Sequence, residues 1–374
     1  MWGCNLNEWR REPVHRICVF AEHGLSKPLV TEFFEKCEEA GCDLVLDPFV
    51  GSGTVLVEAQ SRGLESVGVD SNPWALVVSR AKTSPPEGVC SWIDMIQGEL
   101  YSQRPFVPSS RLERYHEPLV LEALGKIRAA IEKAPLPSRP LLLTVLGELA
   151  HELSGFRKSP APKFKKSRPV AEPRQVFKRF FELLSRGIED LIKHARDTPP
   201  AHLVWADATA WLPDRIEAVL TSPPFANNID YVRHAQLQLM WSGLATSSKE
   251  LGALRSMQAP SCEAAARKWR PEIEEERLAV ILGAIRGRRR KGYVKFLRQY
   301  FYAMRNHLNL LAERLEWEAW YTIGDSMLGG AYVPTHEILA KFAKDAGLKV
   351  RIKAVSKRIK PGERLFLLII STNR

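Results

Sequence analysis

Short apolar runs closed by an acid recur along the chain. Asp43-Leu44-Val45-Leu46 runs into Asp47, Ser66-Val67-Gly68-Val69 into Asp70, and His202-Leu203-Val204-Trp205-Ala206 into Asp207. Runs of this length and composition, bounded by turn-forming residues, predict strands. Before the first of them, Leu29, Val30, Phe33, Phe34 and Cys37 recur at helical spacing with Pro28 just inside the start, which predicts a short amphipathic helix. Val55 to Ala59 opens another. This alternation lapses from Gly88 to Pro200, where Leu119–Lys133 and Gln175–Lys193 read as helices, the second with Val176, Phe180, Leu184 and Leu191 on its apolar side. The strand pattern returns at His202 and again at Glu217–Leu220, followed by a helical stretch through Leu239 and Trp241. Residues 245–290 are irregular and helical by turns. A helix over Tyr293–Leu315, a strand at Ala319–Asp325, a helix over Thr335–Ala346 and strands at Val350–Val355 and Leu365–Ile370 finish the chain. Alternating strands and helices predict an α/β fold, a largely parallel sheet covered on both faces. The expected organisation has sheet-forming parts at 1–87, 201–244 and 292–374, and two mainly helical insertions at 88–200 and 245–291.

Two stretches carry candidate chemistry. The strand ending Ala218-Val219-Leu220-Thr221 stops at Ser222-Pro223-Pro224-Phe225, because consecutive prolines fix φ and remove ladder donors. A serine oxygen, a carbonyl locked before proline and a flat ring are thereby held at a strand's carboxyl end, where open α/β sheets place their ligands. The ordinary alternative is a strand-ending turn. Upstream, Asp47-Pro48-Phe49-Val50-Gly51-Ser52-Gly53-Thr54 joins a strand to a helix through a glycine-containing loop that lets a ligand approach bare backbone. Asp70, ending the next strand, is placed to accept from ribose hydroxyls, with a helix cap before Pro73 as its plain alternative. Asp207 occupies the corresponding place on a third strand, or caps a turn before Leu212-Pro213. Neither Gly-x-Gly-x-x-Gly nor Gly-Lys-Ser/Thr is present, so the pocket favours an adenosine ligand without a polyphosphate.

Charge adds a partner. The 374 residues carry a net charge of +11, which favours a polyanion over a neutral small molecule. The positive charge clusters in Arg157–Pro169, with Lys163, Lys165, Lys166 and Arg168, and in Arg286–Lys291, with Arg288, Arg289 and Arg290. Both suit phosphate contacts, and both could be merely solvated. Phe164 could stack on a base. The six cysteines lack Cys-x-x-Cys spacing and read as reduced thiols without a metal site. No secretory leader and no apolar run of membrane-spanning length is evident, so a cytoplasmic protein is expected.

The pairing of Asp47–Thr54 with Thr221–Phe225 resembles the amino-directed, S-adenosylmethionine-dependent DNA methyltransferases acting on cytosine-N4 or adenine-N6. The resemblance covers about Lys27 to Lys82, His202 to Arg233 and, more faintly, Tyr293 onward; both insertions lie outside it. It implies a Rossmann-like class I methyltransferase sheet with helices on both faces, S-adenosylmethionine as cofactor and double-stranded DNA as partner, with a possible restriction endonuclease companion. Carried over, Ser222, Pro223, Pro224 and Phe225 form the catalytic turn. Lys27, Asp47, Phe49, Gly51, Gly53, Thr54, Asp70 and Asp207 then belong to the cofactor site. Asp70 would meet the ribose, Asp207 the adenine amino group, Asp47 the ammonium directly or through water, and Phe49 would pack near the methyl. The base would be flipped onto Phe225 and its amino group held by Ser222 and the carbonyl beside Pro223. Serine ahead of Pro-Pro tilts the acceptor towards cytosine-N4 rather than adenine-N6. An exocyclic amine of RNA, and a catalytically silent nucleic-acid-binding protein, are the other readings. Neither insertion stands where the family usually carries target recognition, which leaves the recognised sequence open.

Overall fold

A computed structural model describes residues 14–17, 25–157, 163–194, 201–267, 270–355 and 364–372. The opening residues, Cys4, Cys18 and the 158–162 part of the first basic segment lie outside them. The strands are β1 (Leu44–Asp47), β2 (Glu65–Asp70), β3 (Phe156–Arg157), β4 (Lys163–Phe164), β5 (Ala201–Trp205), β6 (Ala218–Thr221), β7 (Glu318–Gly324), β8 (Ser326–Leu328), β9 (Ala331–Val333), β10 (Lys349–Ala354) and β11 (Leu365–Ser371). Seven of them form one sheet in the order β10-β11-β7-β6-β1-β2-β5, parallel except for β11, which runs antiparallel to both neighbours. Strand order reverses between β1 and β6, so the loops after these two strands face each other across the switch point of an α/β sheet.

The helices are α1 (Lys27–Ala40), α2 (Thr54–Ser61), α3 (Pro73–Thr83), α4 (Val89–Ile96), α5 (Pro118–Ile131), α6 (Arg139–Glu152), α7 (Pro173–His194), α8 (Tyr231–Ser242), α9 (Ser248–Met257), α10 (Glu276–Ala284), α11 (Arg290–Arg314) and α12 (Thr335–Asp345). On one face, α1 and α2 bury Phe33, Phe34 and Leu56 against Val45, Leu220 and Trp320; on the other, α11 and α12 bury Tyr300, Met304 and Leu339 against Leu46, Val219 and Tyr321. Val45 and Leu46 thus point to opposite cores, as a central parallel strand requires.

Two helices of the first insertion escape a periodicity reading. α4 is short, and α6 is apolar nearly all round its first turns, Leu141-Leu142-Leu143-Thr144-Val145-Leu146, so it lacks the contrast between faces by which surface helices are recognised. α6 packs between α3, α5, α7 and α8, and Gly147 lets it come so close to Trp74 that a Cβ there would sit 2.9 Å from the indole. The insertion has a core of its own around Trp92, Tyr115, Phe156 and Phe180, continuous with Trp241 of α8. At that seam the buried His116 ring bridges the Leu153 carbonyl at Nδ1 (3.1 Å) and the Trp241 indole N–H at Nε2 (3.1 Å). A carbonyl only accepts, so Nδ1 carries the proton, and burial pushes the ring's pKa down to about 4.

Candidate active site

β1 and β6 bring together motifs 174 residues apart, and the chain ties the pair at both ends. At the amino end Glu217 Oε2 accepts from the backbone N–H groups of Asp43 (2.8 Å) and Leu44 (3.0 Å). At the carboxyl end Thr221 Oγ1 donates to Asp47 Oδ1 (2.7 Å), which also accepts from Phe49 N (3.1 Å). Asp47 is 3% exposed, and burial pushes its carboxyl up to about 7 against the pull of these donors. Its geometry is that of a tie between the glycine loop and the Ser-Pro-Pro-Phe turn.

The loop folds back on the second strand. Val50 N donates to Val69 O (3.0 Å), Gly53 N to Val50 O (2.8 Å) and Gly51 N to Asp70 Oδ2 (3.0 Å). Gly53 holds φ +77°, and a Cβ there would lie 3.1 Å from the Ser79 backbone, so only glycine lets α3 close on the loop ahead of Thr54, the first residue of α2. Asp70 Oδ1 accepts from Asn72 N (2.8 Å), and Asn72 in turn caps α3 through Trp74 N (3.1 Å). Asp70 therefore orders both the loop and the entry to α3. Burial raises its pKa to about 6. Asp207 lies two residues beyond β5 and spends Oδ1 on Thr209 N (3.0 Å) and Oγ1 (2.8 Å); burial raises its pKa too. Three carboxyls raised by desolvation gather at one rim of the sheet, which makes this rim the candidate site. Lys27 opens α1, which packs on α2 and β6.

The Ser-Pro-Pro-Phe turn is fixed from beneath. Tyr300 of α11, fully buried, donates to Pro224 O (3.0 Å), and the Phe225 backbone N–H lies against the buried hydroxyl of Tyr231 at the start of α8. Phe225 packs on bare backbone at Gly324, where a Cβ would come within 2.6 Å of the ring. Ser222 is half-buried, and its hydroxyl has no hydrogen-bond partner among the described residues. The prolines and the tyrosine thus fix the turn while leaving that oxygen free.

His307 was not among the residues marked by motif. Its ring lies tilted against that of Phe49, with centroids 5.2 Å apart, and bridges Ala208 O (2.8 Å) and the Tyr321 hydroxyl (2.7 Å), joining the Asp207 turn, the glycine loop and β7. Its pKa is pushed down to about 4 by burial, so it is neutral at pH 7. No motif surrounds it, and in sequence it is one polar residue in a long helix.

The basic segments differ. Arg168 pairs with Glu117 (2.7 Å) and donates to Glu113 O (2.9 Å), and Lys165 donates to Ser154 O (3.3 Å), leaving Lys163 and Lys166 exposed. Phe164 already carries Arg114 over its ring at 4.6 Å, with Tyr115 and Phe156 beside it. Arg288, Arg289 and Arg290 are exposed at the start of α11, Arg289 reaching Glu263 at 3.7 Å. Among the described residues no group of three or more His, Cys, Asp or Glu side chains could hold a metal, and no helix is long and apolar enough to cross a membrane.

A Rossmann-like sheet with a glycine loop and a Ser-Pro-Pro-Phe turn at its switch point is the architecture of the methyltransferase fold. The chain is similar to Type II methyltransferases: 38% identical over 84 residues to M.MvaI of Kocuria varians, covering 22% of this chain and 18% of that protein. It is 23% identical to M.BsoBI of Geobacillus stearothermophilus over 293 residues, 67% of this chain and 56% of the relative. With M.AvaI of a Nostoc species it shares 22% over 267 residues, 63% and 55% of the two chains. The chain spans about half the length of the relatives it matches over these longer stretches. No family model matches it.

Proposed function

We propose that the protein is a site-specific DNA methyltransferase that methylates the exocyclic amino group of a base flipped from duplex DNA, with cytosine N4 as the acceptor and S-adenosylmethionine as the donor. The reading is carried by one observation: the glycine loop and the Ser-Pro-Pro-Phe turn end adjacent parallel strands and are tied by the Thr221–Asp47 bond of 2.7 Å.

The residues of the loop suit the cofactor. Gly51 and Gly53 present backbone without side chains, Asp70 and Asp207 retain acceptor capacity for ribose hydroxyls and an adenine amino group, and Phe49 offers an apolar surface. When bound, S-adenosylmethionine supplies a methyl group activated on a sulfonium. The protein's task is to aim the acceptor. An aromatic amine is a poor nucleophile because its lone pair is delocalised into the ring. Ser222 Oγ and the carbonyl beside Pro223 accept hydrogen bonds from the amino group and draw its nitrogen towards tetrahedral geometry. Phe225, held on Gly324, stacks on the base. Orientation and oriented dipoles then supply most of the acceleration, and no covalent enzyme intermediate is needed. Asp47, sealed from solvent, keeps loop and turn in register. Arg288, Arg289, Arg290, Lys163 and Lys166 are assigned to backbone phosphates. Serine ahead of Pro-Pro accepts without a full charge, which supports cytosine over adenine.

Mass spectrometry of nucleosides from unmethylated DNA incubated with protein and cofactor is expected to show N4-methyldeoxycytidine. N6-methyldeoxyadenosine would move the acceptor to adenine, label in RNA alone would replace the substrate, and no product would remove the reading.

A further inference from the structure

Helix α11 is longer than the sheet it covers, and its excess length is basic. Its last turn is level with the amino end of β6, because Ile216 N donates to Arg314 O (3.3 Å) and Glu316 N to Ile216 O (2.8 Å). Tyr300 is level with the carboxyl end, through its bond to Pro224 O. At 1.5 Å per residue, Arg290 therefore stands about 15 Å further along the axis than Tyr300, beyond the rim on which both site loops lie. On this projecting part Arg290, Lys291, Lys295 and Arg298 share one side of the helix, opposite the buried Phe296 and Tyr300. They line a cleft of ≈ 410 Å³ whose other wall is α10. Leu282 and Val294 give it an apolar lining. Arg298 is met by Glu272 at 3.8 Å, while Arg290, Lys291 and Lys295 have no carboxylate partner among the described residues.

The geometry points to this cleft as a seat for the sugar–phosphate backbone of duplex DNA flanking the flipped base, an inference that rests on the reading of the protein as a DNA methyltransferase. Three cations without an ion-pair partner among the described residues span about 7.5 Å of helix axis, enough for their long side chains to meet adjacent phosphates of one strand, and the apolar wall suits deoxyribose faces. The cations face away from Tyr300, so the phosphates they hold are neighbours of the flipped nucleotide and not its own. Of these residues Arg290 and Lys291 belong to the basic run that the sequence marks; Lys295 and Arg298 come from the next two turns.

The test is fluorescence anisotropy of a labelled mixed-sequence duplex as a function of salt. Lys291→Gln/Lys295→Gln is compared with wild type and with Lys344→Gln, an exposed cation of α12. The double variant is expected to lower the slope of log affinity against log salt by about 0.9 per lost contact, roughly two in all, with Lys344→Gln leaving it in place. Retained S-adenosylmethionine affinity reports an intact fold, and Arg290→Gln serves if the double variant is unfolded. A slope unmoved in the folded variants overturns the cleft, even where DNA is methylated. A wild type that shows the cleft-dependent slope but methylates no DNA would leave the cleft standing and remove the catalytic reading.

Discussion

At the rim of the sheet, buried Asp47 and half-buried Asp70 and Asp207 are held by backbone or hydroxyl donors, whereas Arg290, Lys291 and Lys295 line an open cleft beyond the rim with no ion-pair partner among the described residues. The two regions carry opposite charge and differ in how closely hydrogen-bond donors surround it. Withdrawn from water, an oriented group interacts strongly at short range and is little screened; in solvent, a cation acts over a Debye length and weakens with salt. Substitution at the rim should therefore change chemistry with little salt dependence. Substitution beyond it should change affinity in small, salt-sensitive steps.

Ser222→Ala is the sharpest test of that contrast. The prolines and Tyr300 hold the turn without the hydroxyl, so cofactor affinity measured by calorimetry should be retained while turnover with radiolabelled cofactor falls about 10²-fold, the usual size for one oriented polar group in a reacting site. Unchanged turnover would take Ser222 out of the chemistry. A smaller effect is expected from pH. Asp70 is ionised in the folded protein only above about 6, and a ribose hydroxyl donates best to the carboxylate. Affinity for the cofactor should weaken as pH falls through about 6, by roughly tenfold per unit below it, and Asp70→Asn should flatten the profile. The ligand-free fold moves the other way: an acid raised by burial stabilises it most below the unfolded value, and that contribution is lost as pH rises through about 6. A cofactor affinity that is flat across this range would remove Asp70 from the ribose.

The rim was largely legible because its parts are local. A strand, an acid and a glycine loop within ten residues declare themselves, and so does Ser-Pro-Pro-Phe, whose prolines admit few conformations. The supports were not legible because they are set by tertiary contact. Tyr300, Gly324 and His307 lie 76, 99 and 258 residues from the residues they touch, Pro224, Phe225 and Phe49. Each is unremarkable in its own window, a tyrosine or histidine on a long helix or a glycine ending a strand. In the first insertion the helices over 118–131 and 173–194 were legible, and α6 escaped for another reason. α6 is buried on nearly every side, so the polar face that betrays a helix is missing, and its packing on α3 and α8 through Gly147 follows from no local pattern.

The two basic segments look alike in sequence and differ in what surrounds them. Arg168 is held by Glu117 at 2.7 Å and by Glu113 O, and its stem lies against Gly155, where a Cβ would come within 2.7 Å of it. Its charge is already answered within the chain. Arg168→Gln should therefore cost only about 0.5 kcal/mol of stability, since both partners are partly exposed and screened, and lower the melting temperature by about 1–2 °C. The salt slope of duplex binding should not move, in contrast to the cleft variants. A slope reduced by about 0.9 would mean that Arg168 leaves Glu117 for a phosphate. A carboxylate partner in the free protein would then be no guide to which cations hold DNA, and the distinction between the two segments would fail.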